Sequence, residues 1–151
     1  MTINYLNAVF EKTTLISEIL KTEIAVLNSL KDDTLQTGYT TNTTFDLGVP
    51  SAENKINFQV RLVYSAELFL TNTKKNFCKY ESETHAFFKI QNGYEFDFKN
   101  VSQDIMTPYF SAVHLLARKR AQEHFFSAGF PGIELPLPGN LNTQPNPEAT
   151  N

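Results

Sequence analysis

The 151-residue sequence has no tryptophan, a single cysteine and no long apolar run. A disulfide or a cysteine-based zinc cluster needs more than one thiol, so Cys78 on its own can form neither within the chain. No segment approaches the ~20 apolar residues that cross a bilayer, and the first residues lack the basic and apolar regions of a signal peptide. These absences predict a cytoplasmic protein without membrane insertion.

Basic residues are also in short supply. The 13 Lys and Arg are outnumbered by 16 Asp and Glu, which gives a net charge of −3. Nucleic-acid affinity depends on clustered Lys and Arg. The one such cluster, Arg118-Lys119-Arg120, lies on a predicted helix, where its members point in three directions towards solvent. The sequence therefore predicts no nucleic-acid partner.

Motifs of catalysis and cofactor binding are missing. The sequence contains no HExxH, GxSxG, GxGxxG or P-loop pattern. His85, His114 and His124 are predicted to be surface or helix-packing side chains. Cys78 shares the phase of its apolar strand neighbours and is predicted to be a buried, inert thiol. We therefore expect no enzyme activity, no cofactor and no metal site.

Aromatic residues are abundant, with 13 Phe and 6 Tyr. A domain of this length has limited interior for so many rings, so they either fill the core or face a partner, and the composition leaves both open. The length suits one domain. We place it at residues 1–138 and predict a disordered tail at 139–151, which is polar and contains proline.

Three segments alternate between apolar and polar residues, at 37–49, 56–70 and 77–90. The second is the clearest, because every other residue from Ile56 to Leu70 is apolar. Such alternation is typical of an antiparallel sheet with one covered face and one face in water. The sequence thus predicts at least three antiparallel strands.

Two helices are predicted around these strands. Residues 4–20 carry apolar side chains three and four apart, which favours an amphipathic helix in an N-terminal extension at 1–21. A second helix is expected to begin near Tyr109, after Thr107-Pro108, and to end at Gly129. Prolines then enforce an extended arm at residues 130–138, in which alternate residues are apolar. The expected class is α+β.

Several short motifs, in this order, resemble the SecB family, the tetrameric chaperones of bacterial protein export. Pro108-Tyr109 resembles the family's Phe-Pro-Tyr at the start of its long helix, and residues 130–135 resemble its Phe-Pro-x-Leu-x-Leu strip. Residues 77–80 and 86–90 resemble its Leu-Cys-Glu-Val and Ile-Phe-Ser-Ile segments. Residues 44–47 are similar to its Lys-Leu-Asp-Leu strand, and residues 22–26 to its first strand. The likeness covers about residues 22–138.

The resemblance implies a four-stranded antiparallel sheet backed by helices, assembled as a dimer of dimers. It implies an ATP-independent chaperone that binds exposed apolar segments of unfolded proteins, either in export or in guarding a specific client such as an antitoxin. The client-binding positions that it carries over are Phe45, Leu47 and Phe77, and the strip adds Ile133 and Leu135.

The SecB family also docks the motor SecA through acidic residues. Glu23 matches one of these acids and is the predicted partner-docking residue. Lys79 and Leu27 stand where the family has further acids, which counts against coupling to SecA.

A second interpretation remains open at this stage. Cone-shaped α+β folds of the nuclear-transport-factor or cystatin type also begin with a helix and build a curved sheet. Such a protein would hold a small ligand in a pocket or act as a dimeric adaptor. A third possibility is a structural module whose aromatic residues form a permanent dimer interface.

Overall fold

The computed structural model describes residues 6–23, 37–48, 57–71, 75–91, 98, 101–130 and 132–138. Over these residues, four strands precede one helix in the order β1 (Ala8–Thr22), β2 (Thr37–Gly48), β3 (Asn57–Leu70), β4 (Asn76–Ile90) and α1 (Gln103–Ser127). The strands form one antiparallel sheet in the order β1-β4-β3-β2. The predicted α+β class, antiparallel sheet and long C-terminal helix are confirmed. The predicted tail lies outside the described residues.

The core lies between the inner face of the sheet and α1. Alternate residues of β3 are fully buried on this face, as predicted: Phe58, Val60, Leu62, Tyr64, Ala66 and Leu68. The helix packs over β3 and β4. It buries Ala117 and Ala121 between the larger Val113 and Phe125. Since alanine leaves the backbone uncovered, the middle of the helix can lie close to the sheet.

The predicted N-terminal helix is wrong, because Ala8–Thr22 forms the edge strand β1. Its register against β4 shifts at Glu11 and again at Ile16. A bulged residue adds one position to the strand and reverses its phase. Inward-facing residues on either side of a bulge, such as Phe10 and Thr13, are therefore three apart instead of two. This spacing imitates the period of a helix.

The start predicted for α1, near Tyr109, is also wrong. The helix begins at Gln103, after Ser102 in extended conformation, and Pro108 lies inside it. As the sixth residue of the helix, Pro108 lies beyond the first turn and removes one intrahelical hydrogen bond. Burial of Met106 in the core favours the added turn.

The predicted end of α1 is confirmed. Gly129 has φ of 101°, a left-handed conformation that glycine adopts without strain. Around it, the Phe130 amide donates to the Phe125 carbonyl at 2.8 Å, and the Gly129 amide donates to the Phe126 carbonyl at 3.1 Å. This pair of bonds is a Schellman motif. It ends the helix just before the arm, residues 130–138, of which the structure describes 130 and 132–138.

The outer face of the sheet is mostly polar on the inner strands β3 and β4, and no other element covers it within the described ranges. Arg61 on β3 pairs with Asp46 on β2 at 2.7 Å and with Glu83 on β4 at 3.1 Å. Lys79 likewise bridges Glu67 and Glu81. Such exposed pairs contribute little to stability individually. They give this face alternating charges.

Candidate functional site

Phe45 and Leu47 lie on the inner face of the edge strand β2, opposite Leu62 and Val60 of β3. Because α1 packs over β3 and β4, β2 is only partly covered, and both side chains remain partly exposed. We call the inward-facing residues of this strand the β2 strip: Tyr39, Thr41, Thr43, Phe45 and Leu47. The strip is a shallow surface beside the helix with apolar and threonine side chains.

Two side chains of α1 pack against Phe45. The Phe45 ring stacks on Phe110, with centroids 4.8 Å apart and an interplanar angle of 19°. Its edge approaches His114, at 6.4 Å between centroids. Stacked rings of this kind stabilise the packing of an aromatic side chain. Phe45 is therefore a well-packed, partly exposed apolar side chain at the junction of strip and helix.

Phe77 is placed differently from the other predicted site residues. It lies at the register shift of β4, is 1% exposed and contacts Phe130 at 5.2 Å between ring centroids. Along β3, its neighbour Leu68 is six residues from Leu62, the partner of Phe45. At ~3.3 Å per residue, the two aromatic positions are about 20 Å apart. The structure therefore separates the two side chains, which also lie two strands apart in the sheet.

The arm returns along α1 and places Leu135 in the core. The Leu135 side chain is 2% exposed, whereas Leu137 is 64% exposed. The Leu135 amide donates to Gln122 Oε1 at 2.8 Å, and its carbonyl accepts from Arg118 Nε at 2.8 Å. Ile133 is partly buried against the core. Among the predicted alternating residues, Leu135 is thus held most firmly.

Two buried polar groups lie beneath Phe45. The His114 and Tyr64 rings are 5.4 Å apart, and neither His114 Nδ1 nor the Tyr64 hydroxyl has a hydrogen-bond partner in the part of the chain that the structure describes. Burial lowers the pKa of His114, and the positive charge of Arg118 lowers it further. Burial also raises the pKa of Tyr64 to about 12. Both groups are therefore neutral near pH 7.

On the opposite side of α1, the helix is tied to the edge strand β1. Glu18 accepts from Arg120 Nε at 2.6 Å and also contacts His124 Nε2. The Glu18 side chain is 11% exposed. The sequence predicts neither the ion pair of Glu18 with Arg120 nor the hydrogen bonds of Arg118 and Gln122 to Leu135. A basic cluster on a helix is typical of a solvated surface. Partners that are distant in sequence leave no local pattern.

The predicted docking residue Glu23 is exposed just after β1, where its amide donates to the Phe77 carbonyl at 2.8 Å. Lys79 is on the outer face. Its pKa is raised, first by a hydrogen bond to Glu81 and then by one to Glu67. Leu27 lies outside the described residues.

Other chemical features are few. Cys78 is buried, as predicted, and burial raises its pKa to about 11. Over the described ranges, no three His, Cys, Asp or Glu side chains are grouped so that they could hold a metal ion. In the same part of the chain, no helix is both long enough and apolar enough to cross a membrane.

The fold is similar to that of the SecB-like chaperone Rv1957 from Mycobacterium tuberculosis, whose structure contains a ChAD peptide from the antitoxin Rv1956 HigA1. The TM-score is 0.68 at 12% identity, over 88% of this chain and 91% of that chain. A protein of unknown function from Streptococcus agalactiae is also similar, with a TM-score of 0.51 at 10% identity, over 87% and 98% of the two chains. No family model and no curated protein matches the sequence.

Proposed function

We propose that this protein is an ATP-independent chaperone that binds exposed apolar segments of unfolded proteins. The observation that carries the proposal is the β2 strip, where Phe45 and Leu47 occupy alternate positions on a partly uncovered edge strand. An extended client presents side chains at the same period of two. Fold similarity to a chaperone solved with a bound peptide supports this assignment.

The same geometry explains how binding would occur without ATP. Apolar burial contributes roughly 25 cal/mol per Å2 of surface removed from water, so a few client residues suffice for micromolar affinity. The outer edge of β2 has no strand partner among the described residues. An extended client can add main-chain hydrogen bonds there. No covalent step is required, and exchange would be fast.

We assign Phe45 and Leu47 to direct client contact, and we include Phe77 and the arm residues Ile133 and Leu135 in the client-binding region. Because Phe77 and Leu135 are buried, the arm would have to move before a client could enter that part of the region. The client that we propose is a specific protein such as an antitoxin, because the structural neighbour was solved with a peptide from an antitoxin. We place the protein in the cytoplasm. Export through SecA is left out of the proposal, because Lys79 and Leu27 replace expected acids.

We also propose that the chain assembles as a dimer of dimers. Within the described residues, the edge strand β1 and the outer side of α1 expose large apolar side chains: Val9, Phe10, Leu15, Ile16, Ile19, Leu115, Leu116 and Phe126. Monomers rarely leave so many large apolar side chains in water. Copies of the same chain would cover them.

Suppression of client aggregation tests the proposal. Phe45→Asp and Leu47→Asp should each abolish suppression, because a carboxylate on the strip cannot be buried against an apolar client. Thr44→Asp is the matched control, since Thr44 is exposed on the outer face of the same strand. Far-UV circular dichroism should show an intact fold in all three. Equal suppression by the control and both strip variants would rule out the strip.

Light scattering of the free protein tests the assembly. A tetramer of the 17.1 kDa chain would have about four times that mass. A monomeric mass together with no suppression of aggregation would contradict the chaperone assignment. That result would turn attention to small ligands.

A further inference from the structure

The arm is held on α1 through its main chain. Arg118 and Gln122 are one helical turn apart, so their side chains emerge from the same side of the helix. They bind the carbonyl and the amide of a single residue, Leu135, at 2.8 Å each. We call this pair the Arg118–Gln122 clamp. Because every non-proline residue has the same two groups, the clamp can hold any extended chain at such a position.

Among the arm residues that the structure describes, Leu135 alone enters the core deeply. Leu135 is buried, whereas its neighbours Glu134 and Pro136 are exposed, and so is Leu137. The pocket therefore selects one apolar residue and leaves both adjacent residues unrestricted. A sequence-tolerant site for unfolded proteins needs this combination of main-chain recognition and one apolar contact.

The two glycines near the base of the arm have open surroundings. An added Cβ would meet nothing within 4 Å at Gly129 or at Gly132. Gly129 is held by the hydrogen bonds that end α1, and the Phe130 ring packs on Phe77. Displacement of Leu135 would therefore move the arm from Gly132 onwards and leave the end of α1 in place.

We propose that the arm occupies, in the free protein, the place where an extended client segment binds, so that a client enters by displacing Leu135 from the Arg118–Gln122 clamp. The inference rests on the proposed chaperone function and adds a built-in competitor to it. The kind of client segment that would bind follows from the residues of the bound arm. An extended segment with Leu at its centre would bind, with Pro accepted directly after it, as in Leu135-Pro136.

A labelled peptide with the sequence of residues 132–138, Gly-Ile-Glu-Leu-Pro-Leu-Pro, tests the displacement by fluorescence anisotropy. Leu135→Asp should release the arm and open the pocket. If the arm fills the pocket at least 90% of the time, the peptide should bind this variant about tenfold more tightly than the wild type or more. Leu137→Asp is the matched control, because it places the same charge on an exposed arm residue, and it should bind the peptide as the wild type does.

The clamp is tested in the released background. Adding Arg118→Ala and Gln122→Ala to Leu135→Asp should remove the gain in peptide affinity, and thermal melts should show that each variant remains folded. Peptide affinity that is equal in the wild type, Leu135→Asp and Leu137→Asp would overturn the inference. If the wild type still suppresses client aggregation in that case, the proposed function stands without the competitor.

Hydrogen exchange provides a test without substitutions. The Leu135 amide should be protected in the free protein, because it donates to Gln122, and should lose protection when the wild type is saturated with an unfolded client. Unchanged or increased protection with bound client would overturn the displacement alone. Absence of any client binding would overturn both the displacement and the proposed function.

Discussion

Glu18→Ala would cut the tie between the edge strand β1 and α1. The carboxylate is 11% exposed, while Arg120 and His124 are 46% and 36% exposed. Hydrogen bonds to charged groups contribute roughly 1.5–3 kcal/mol each, whereas fully exposed pairs contribute roughly 0–1. Because both basic partners can be rehydrated when the acid is lost, we expect a total loss of about 2 kcal/mol. For a chain of this length, that loss lowers the melting temperature by about 4–8 °C.

Urea and thermal unfolding at one fixed protein concentration measure the loss, since assembly would make stability depend on concentration. Glu81→Ala is the control, because Glu81 pairs with Lys79 at 2.8 Å but is 46% exposed. It should cost about 0.5 kcal/mol or less. A double-mutant cycle with Arg120→Ala should give a coupling of about 1 kcal/mol. Equal losses for Glu18→Ala and Glu81→Ala would refute the tie.

Three further results are expected. Because folding lowers the pKa of His114, the unfolded chain binds more protons than the folded one below about pH 6.5, and the free energy of unfolding should fall as the pH drops towards 5. His114→Leu should flatten this part of the curve of stability against pH. A curve that the substitution leaves unchanged would contradict the burial of His114. With its pKa raised from 9.0 to about 11, the Cys78 thiolate fraction is about a hundredfold lower, so a maleimide should label it at least that much faster in urea. Gly38→Ala would bring a Cβ within 2.5 Å of the Phe69 ring and should lower the melting temperature. Adding Phe69→Ala should remove that clash. Equal melting temperatures of Gly38→Ala and the wild type would show that the Phe69 ring moves aside at no cost.

The sequence predicts β3 well because its alternation is unbroken, and one covered face then fixes which residues are buried. The same reasoning fails for β1, where two bulges shift the phase and create helical spacing. It also fails at the start of α1, where Thr107-Pro108 is typical of a helix start, but burial of Met106 favours a helix that begins earlier, at Gln103. Sequence patterns are reliable where the folded structure keeps the alternation of a strand or the period of a helix unbroken.

The candidate site was predictable only in part. The phase of β2 and the family resemblance together lead to Phe45 and Leu47, which share one face. Neither could show that Leu135 is buried, because its partners Arg118 and Gln122 are 17 and 13 residues away. The basic cluster shows the same limit. Arg118 and Arg120 are about 200° apart around the helix, and the structure uses them on opposite sides, for the arm and for Glu18.

The two bulges of β1 also limit how copies of this protein can associate. They divide the exposed edge into three in-register runs, 8–10, 12–15 and 17–22. Open-ended growth of fibrils requires long, flat edges that accept a new strand repeatedly. An edge that twists at Glu11 and Ile16 fits a partner only in a restricted geometry. Such an edge is a poor template for the aggregation of other chains, which suits the chaperone function proposed above.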